Sequence, residues 1–189
     1  LSIVLEDVLD LVNIFSSLGD RGKDLVAAYD PPTCVRKMLE WLRGMCHPDG
    51  EISFFNDSAF GVAARPSALF EYAERLGIGM PGDSGGGLTH FAETGYVRYQ
   101  DGPLVALLDV APVGPDYQPG HAHADTLSFE LSLFGQRVFV NSGTSTYEEG
   151  AERHRCRTSF NASQEARQRG HAARCPSIRA QVRGEMSPS

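Results

Sequence analysis

The chain has 189 residues, 41% of them hydrophobic and 22% charged, with a formal net charge of −7 at pH 7. This composition excludes a wholly disordered chain, a collagen and a coiled-coil rod, and it supplies enough apolar material for one domain or pieces of two. Residues 151–189 carry eight Arg against three Glu, which leaves −12 for residues 1–150, and so acidic a body argues against general nucleic-acid binding.

Residues 1–18 set Leu1, Val4 or Leu5, Val8, Leu11 or Val12, and Phe15 at helical spacing, with Gly19 as the expected C-cap. Glu6, Asp7 and Asp10 within this stretch rule out a signal peptide, and no apolar run approaches the ~20 residues of a membrane span. After a polar link, Pro31-Pro32-Thr33 opens a second helix whose stripe is Val35, Met38, Leu39 and Leu42. His47-Pro48-Asp49-Gly50 reads as a turn and residues 52–55 as a short extended piece. Asn56 and Asp57 then cap a further turn. Ser67 is the expected N-cap of a third helix over 68–76, ending at Gly77.

Residues 79–95 are a Gly-rich linker, and beyond it the apolar period changes from helical to two. Strands are predicted over 96–99, 104–110, 127–134 and 137–140, with Gly135-Gln136 as the turn between the last two. Helices first and antiparallel strands second is an α+β order. Residues 158–189 are a basic tail without pattern, best read as a solvated charge run. Cys34, Cys46, Cys156 and Cys175 form no CxxC and imply no disulfide scaffold.

Gly82-Asp83-Ser84-Gly85-Gly86 mimics the nucleophile segment of chymotrypsin-like proteases. However, the residues before Ser84 read mainly as helices, with His47 the sole earlier histidine. Two β-barrels cannot be built from them, and a flexible linker is the better reading.

The chemistry-bearing stretch is Gln118-Pro119-Gly120-His121-Ala122-His123-Ala124-Asp125. In an extended chain His121, His123 and Asp125 share a face with Leu127, Phe129, Leu131 and Leu133, and without a bulge that face is the packed one. Two imidazoles and a carboxyl at its end are then partly desolvated, where pKa values move and metals bind. Two uses stay open: His123 as a ligand with His121 a base or charge stabiliser, or both as ligands. Asn141, at the close of the paired strand, is a candidate third ligand. His154 and His171 are further candidates that read more simply as surface histidines.

These residues resemble a family. The run PGHAHADTLSFELSLFGQRVFVNSGTSTYEEGAERHR is similar to the C-terminal domain of heparinase II/III-like polysaccharide lyases. HPDGEISFFNDSAFG resembles the end of that family's helical toroid, and VLEDVLDLVNIF the toroid helix after its catalytic Tyr. The resemblance covers about residues 1–157. It implies the C-terminal helices of an incomplete α/α toroid over 1–78, then the start of an antiparallel β-sandwich over 96–157.

It also implies β-elimination on a uronic-acid polysaccharide. His121 matches the histidine that assists at the active site, and His123 the first metal ligand. Asn141 stands where the family usually has an Asp ligand. The implied cofactor is a divalent metal, zinc ahead of calcium, and the implied partner an acidic polysaccharide. The complete protein is expected in the periplasm or cell envelope. By the same resemblance the catalytic Asn and Tyr lie before Leu1. Phe160 stands where a third metal histidine is expected, with Asn161 beside it, and the tail reads as a shifted frame or truncated gene. The chain alone is therefore expected to be a weak or inactive lyase. The alternative is a non-catalytic, metal-stabilised β-sandwich module that binds acidic glycans. A cupin-like metal enzyme is a third reading, disfavoured because strand parity puts Glu130 and His123 on opposite faces.

Overall fold

Among the residues described, four helices gather in one unit and five strands in another. The structure is a computed structural model and describes residues 1–79, 82, 85–112, 125–141, 143–144, 146–148 and 150–151. The helical unit comprises Leu1–Ile52 and Gly61–Gly85; the sheet unit comprises Ser53–Phe60 and the chain from Gly86 onward.

The helical unit contains α1 (Ser2–Ser17), α2 (Gly19–Tyr29), α3 (Pro31–Gly44) and α4 (Pro66–Arg75). Its core joins Leu5, Leu9 and Val12 of α1 to Val35, Leu39 and Leu42 of α3 and to Leu69 and Ala73 of α4. These are the positions that helical spacing brings to one face. Each such leucine contributes about 1.5–3 kcal/mol on burial. No described helix is long and apolar enough to cross a membrane.

The polar link after Gly19 proves to be α2. Only Gly22 of that helix is buried, so it carries no apolar stripe for the periodicity to find. It is held by close approach instead: a Cβ on Gly22 would stand 1.8 Å from the carbonyl oxygen of Phe15. Asp30, in the left-handed conformation, ends α2 and caps α3 by accepting the N–H of Thr33 at 3.4 Å. Helix α4 begins at Pro66 with Arg65 as its N-cap, so Ser67 is not the cap that the sequence suggested. Proline's fixed φ suits the first helical position and moves the start back by two. The His47-Pro48-Asp49-Gly50 turn forms, closed by the Gly50 N–H on the His47 carbonyl at 2.9 Å.

The sheet has strands β1 (Gly87–Phe91), β2 (Tyr96–Asp101), β3 (Leu104–Asp109), β4 (Phe129–Leu133) and β5 (Gln136–Phe139) in sequence order, each pair antiparallel. Helices followed by an antiparallel sheet make the α+β class observed. Strand β1 falls in the stretch read as linker; it follows a run of glycines and is mostly exposed, so alternation is absent. The β4–β5 turn is Phe134-Gly135, not Gly135-Gln136. Both residues have positive φ, 51° and 78°, as a two-residue hairpin turn with the strands' own twist requires.

The packing of β4 inverts the expectation from parity. Ser128, Glu130 and Ser132 are buried, whereas Leu127 is 76% exposed. The cause is a bulge: Leu127 donates to the Asp109 carbonyl and Asp109 donates to that of Ser128, so two residues face one. Leu127 adopts φ 67°, and the alternation changes phase there. Register then gathers Tyr96, Arg98 and Gln100 of β2, Val105, Leu107 and Asp109 of β3, and Glu130 and Ser132 of β4 on one face.

The Ser53–Phe60 strap fastens to that face. The Phe54 N–H donates to Glu130 Oε1 at 2.8 Å, and the Arg137 guanidinium lies 5.2 Å from the Phe54 ring and 5.5 Å from the Phe60 ring. Thr144 N donates to the Ser58 carbonyl at 3.3 Å, and Tyr147 Oη to that of Asp57 at 2.8 Å. Part of the polar inward face is thereby explained: an extended strap needs acceptors for its N–H groups, and Glu130 of β4 accepts that of Phe54 while Asp125, ahead of β4, accepts that of Asn56.

Candidate functional site

Asp109 ends β3, Asp125 precedes the bulge into β4, Tyr96 begins β2, and Asn56 lies at the bend of the strap. The side chains of Asp109 and Asp125 are almost wholly buried, at 4% and 3% exposure. Asn56, at φ 53°, donates its N–H to Asp125 Oδ2 at 2.5 Å and its Nδ2 to Tyr96 Oη at 2.8 Å. Asp109 Oδ1 accepts the Ala111 N–H at 2.9 Å, and Thr126 Oγ1 donates to the Ala111 carbonyl at 2.8 Å. The last bond ties Ala111 to Thr126, so the two ends of the connection that runs from β3 toward β4 stand side by side.

The electrostatics follow from burial. Desolvation raises the Asp109 carboxyl above the usual range; the Asp125 charge adds to this, while the Ala111 N–H and the Tyr96 hydroxyl oppose it. The Tyr96 phenol is pushed well above its ordinary value, first by burial and then by the charges of Asp109 and Asp125. Tyr96 is thus a neutral hydrogen-bonding group at physiological pH, not a base.

Asn141 is 6% exposed and is tied twice to β4. Its backbone N–H donates to Glu130 Oε1 at 2.9 Å, and its Nδ2 donates to Ser128 Oγ at 3.2 Å. With Nδ2 so engaged, the amide oxygen is the Asn141 atom that suits a cation, and a neutral oxygen donor fits one there. Among the described residues no group of three or more His, Cys, Asp or Glu is placed to hold a metal ion.

Of the residues singled out in the sequence, Asp125 and Asn141 fall within the description. His121 and His123 lie outside the described residues, as do Asp83, Ser84, His154, Phe160, Asn161 and His171. Asp125 is committed to the strap. Sequence reasoning treated Asn56 as a turn cap, placed Tyr96 and Asp109 in strands without a further role, and weighed Glu130 only for a cupin-like metal site. One signal was present: Glu130 and Asp109 are charged residues set into otherwise apolar strands. Parity does not carry across the bulge at Leu127, and His123, which it was to separate from Glu130, lies outside the described residues. Cys34 is exposed and Cys46 buried, and neither forms a disulfide among the described residues.

Comparison with known proteins bears out the resemblance at the level of fold. Residues 83–165 match the family model described as heparinase II/III-like, C-terminal. Similar solved structures include a heparinase III at 19% identity and TM-score 0.55, with 81% of this chain and 29% of that one covered. A second heparinase III, at 17% identity and TM-score 0.58, covers 81% of this chain with 27% of its own. The heparan sulfate lyase HepC from Pedobacter heparinus gives 18% identity and TM-score 0.51, over 81% of this chain and 26% of that one. The chain thus spans less than a third of the length of each of these structures. No curated protein matches it.

Proposed function

We propose that this chain, whose residues 83–165 match a heparinase II/III-like C-terminal domain, supplies part of a polysaccharide lyase acting on uronic-acid polymers by β-elimination. The observation that carries the reading is the coincidence of that match with a heparinase III-like fold over 81% of the chain. Heparan sulfate, the substrate class in the name of one similar structure, is the first polymer to try.

The chemistry sets three demands. The uronate carboxylate must be neutralised so that the C5 proton becomes removable, a base must take that proton, and an acid must protonate the departing 4-oxygen. In this reading His121 serves at the reacting sugar, as base or as charge stabiliser. His123 and Asn141 hold a divalent cation, zinc ahead of calcium. When bound, the cation supplies a fixed positive charge that stabilises the sandwich and orients its edge. The resemblance matches no residue of this chain to the family's catalytic Asn and Tyr. In this reading the complete protein works in the periplasm or cell envelope.

The test uses the product of the complete gene, incubated with heparan sulfate and other uronate polymers while ultraviolet absorbance of the new C4–C5 double bond is followed. His121→Ala should lower turnover by roughly 10²–10⁴-fold, the usual contribution of acid–base catalysis, with glycan binding nearly intact. Binding to the polymers without any double-bond product would replace the lyase reading with that of a glycan-binding module.

A further inference from the structure

We propose that Glu130 is a positioning residue for Asn141. The proposal rests on the reading of Asn141 as a metal ligand given above. Glu130 is wholly buried, in the middle of a strand whose neighbours on the other face are Phe129 and Leu131. A carboxyl group there is tolerated only if its oxygens are hydrogen-bonded. Oε1 accepts two backbone N–H groups, from Phe54 at 2.8 Å and from Asn141 at 2.9 Å. One oxygen therefore joins the strap to the residue that follows β5. Asn141 is fixed a second time through its side chain, by Ser128 Oγ at 3.2 Å, and Ser128 is 1% exposed. Residues 128 and 130 of one buried strand face thus set both the backbone and the amide plane of Asn141, and with them the direction of its amide oxygen.

Partners that orient a ligand in this way are worth about 10–100-fold in metal affinity. The experiment measures zinc affinity of the full chain by competition with a chromophoric chelator, together with amide hydrogen exchange at Phe54 and Asn141. Glu130→Ala should weaken zinc binding roughly 10–100-fold and speed exchange at both amides together. Glu130→Gln, which keeps an acceptor oxygen, should fall between it and the wild type in both readouts. If Glu130→Ala does not fold, Glu130→Gln decides alone: intermediate behaviour supports the proposal, and wild-type behaviour overturns it. Zinc affinity lost in Asn141→Ala but unchanged in the Glu130 variants overturns the positioning role and leaves the ligand reading standing. A wild-type chain that takes up no zinc removes both.

Discussion

Leu127 donates its N–H to the carbonyl oxygen of Asp109 at 2.7 Å, and Asp109 returns its own N–H to Ser128 at 2.9 Å. This two-against-one pairing turns Ser128, Glu130 and Ser132 inward and sends Leu127 into solvent. A strand that reads as apolar on one face and polar on the other therefore buries its polar face, where Glu130 accepts the strap's Phe54 amide.

Leu127 pays for this phase change with a left-handed backbone that costs a non-glycine residue about 1–2 kcal/mol. Its side chain is exposed, so little packing offsets the strain. Leu127→Gly should leave stability equal or raise it by up to about 1 kcal/mol, and Leu127→Val should lower it. Thermal unfolding of the full chain decides. A Gly variant less stable than the Val variant would contradict the bulge.

Asp109 predicts a pH dependence with a definite sign. Its folded pKa lies above the ordinary 3.8, so its contribution to stability is complete below that value and is lost as pH rises through the raised one. Asp109→Asn removes the titration while keeping an acceptor for the Ala111 N–H. The melting temperature of the variant, relative to wild type, should climb as pH rises above 3.8. A difference that shrinks over that range would show that burial of Asp109 is not the controlling effect.

Gly22→Ala should loosen α2 from α1. The added Cβ would overlap the Phe15 carbonyl oxygen, 1.8 Å away, and backbone cannot yield as a flexible side chain would. The expected loss is roughly 1–3 kcal/mol, in the range of an overpacked core. Hydrogen exchange should report faster exchange in α2, with the amides of α3 less affected; unchanged exchange in α2 would refute the close approach.

Asn56 combines a left-handed backbone with a side-chain bond to Tyr96. Asn56→Ala should cost about 1–3 kcal/mol, from backbone strain and a lost hydrogen bond together. Asn56→Gly should recover the backbone part and leave a loss of about 1 kcal/mol. Equal stability of the two variants would mean that the strap does not hold its bend at this residue.

Much of the fold was legible because it rests on periodicity. Leu5, Leu9 and Val12 with Val35, Leu39 and Leu42 spell helices with one buried face, and the Leu104–Asp109 alternation spells a strand. What escaped was structure made without an apolar pattern: α2, held by a missing side chain at Gly22, and β1, an exposed strand behind glycines. The site was legible as a motif only. His121, His123 and Asn141 were picked out by residue type and by resemblance. The buried partner of Asp125 comes from a strap far away in sequence, and nothing local in Ser53–Phe60 says which residues will accept its amides.

The strap also bears on the order in which the protein can mature. Phe54 and its acceptor Glu130 are 76 residues apart, and the helical stretch Gly61–Gly85 is made between them. At a ribosomal pace of about 5–20 residues per second, some 4–15 s separate the appearance of the amide from that of its acceptor. For that interval the Phe54 amide lacks its acceptor, and the strap has at most β1–β3 to lie on. Contacts of such long separation slow folding and lengthen exposure to self-association, so the nascent chain is most vulnerable to aggregation just before β4 emerges.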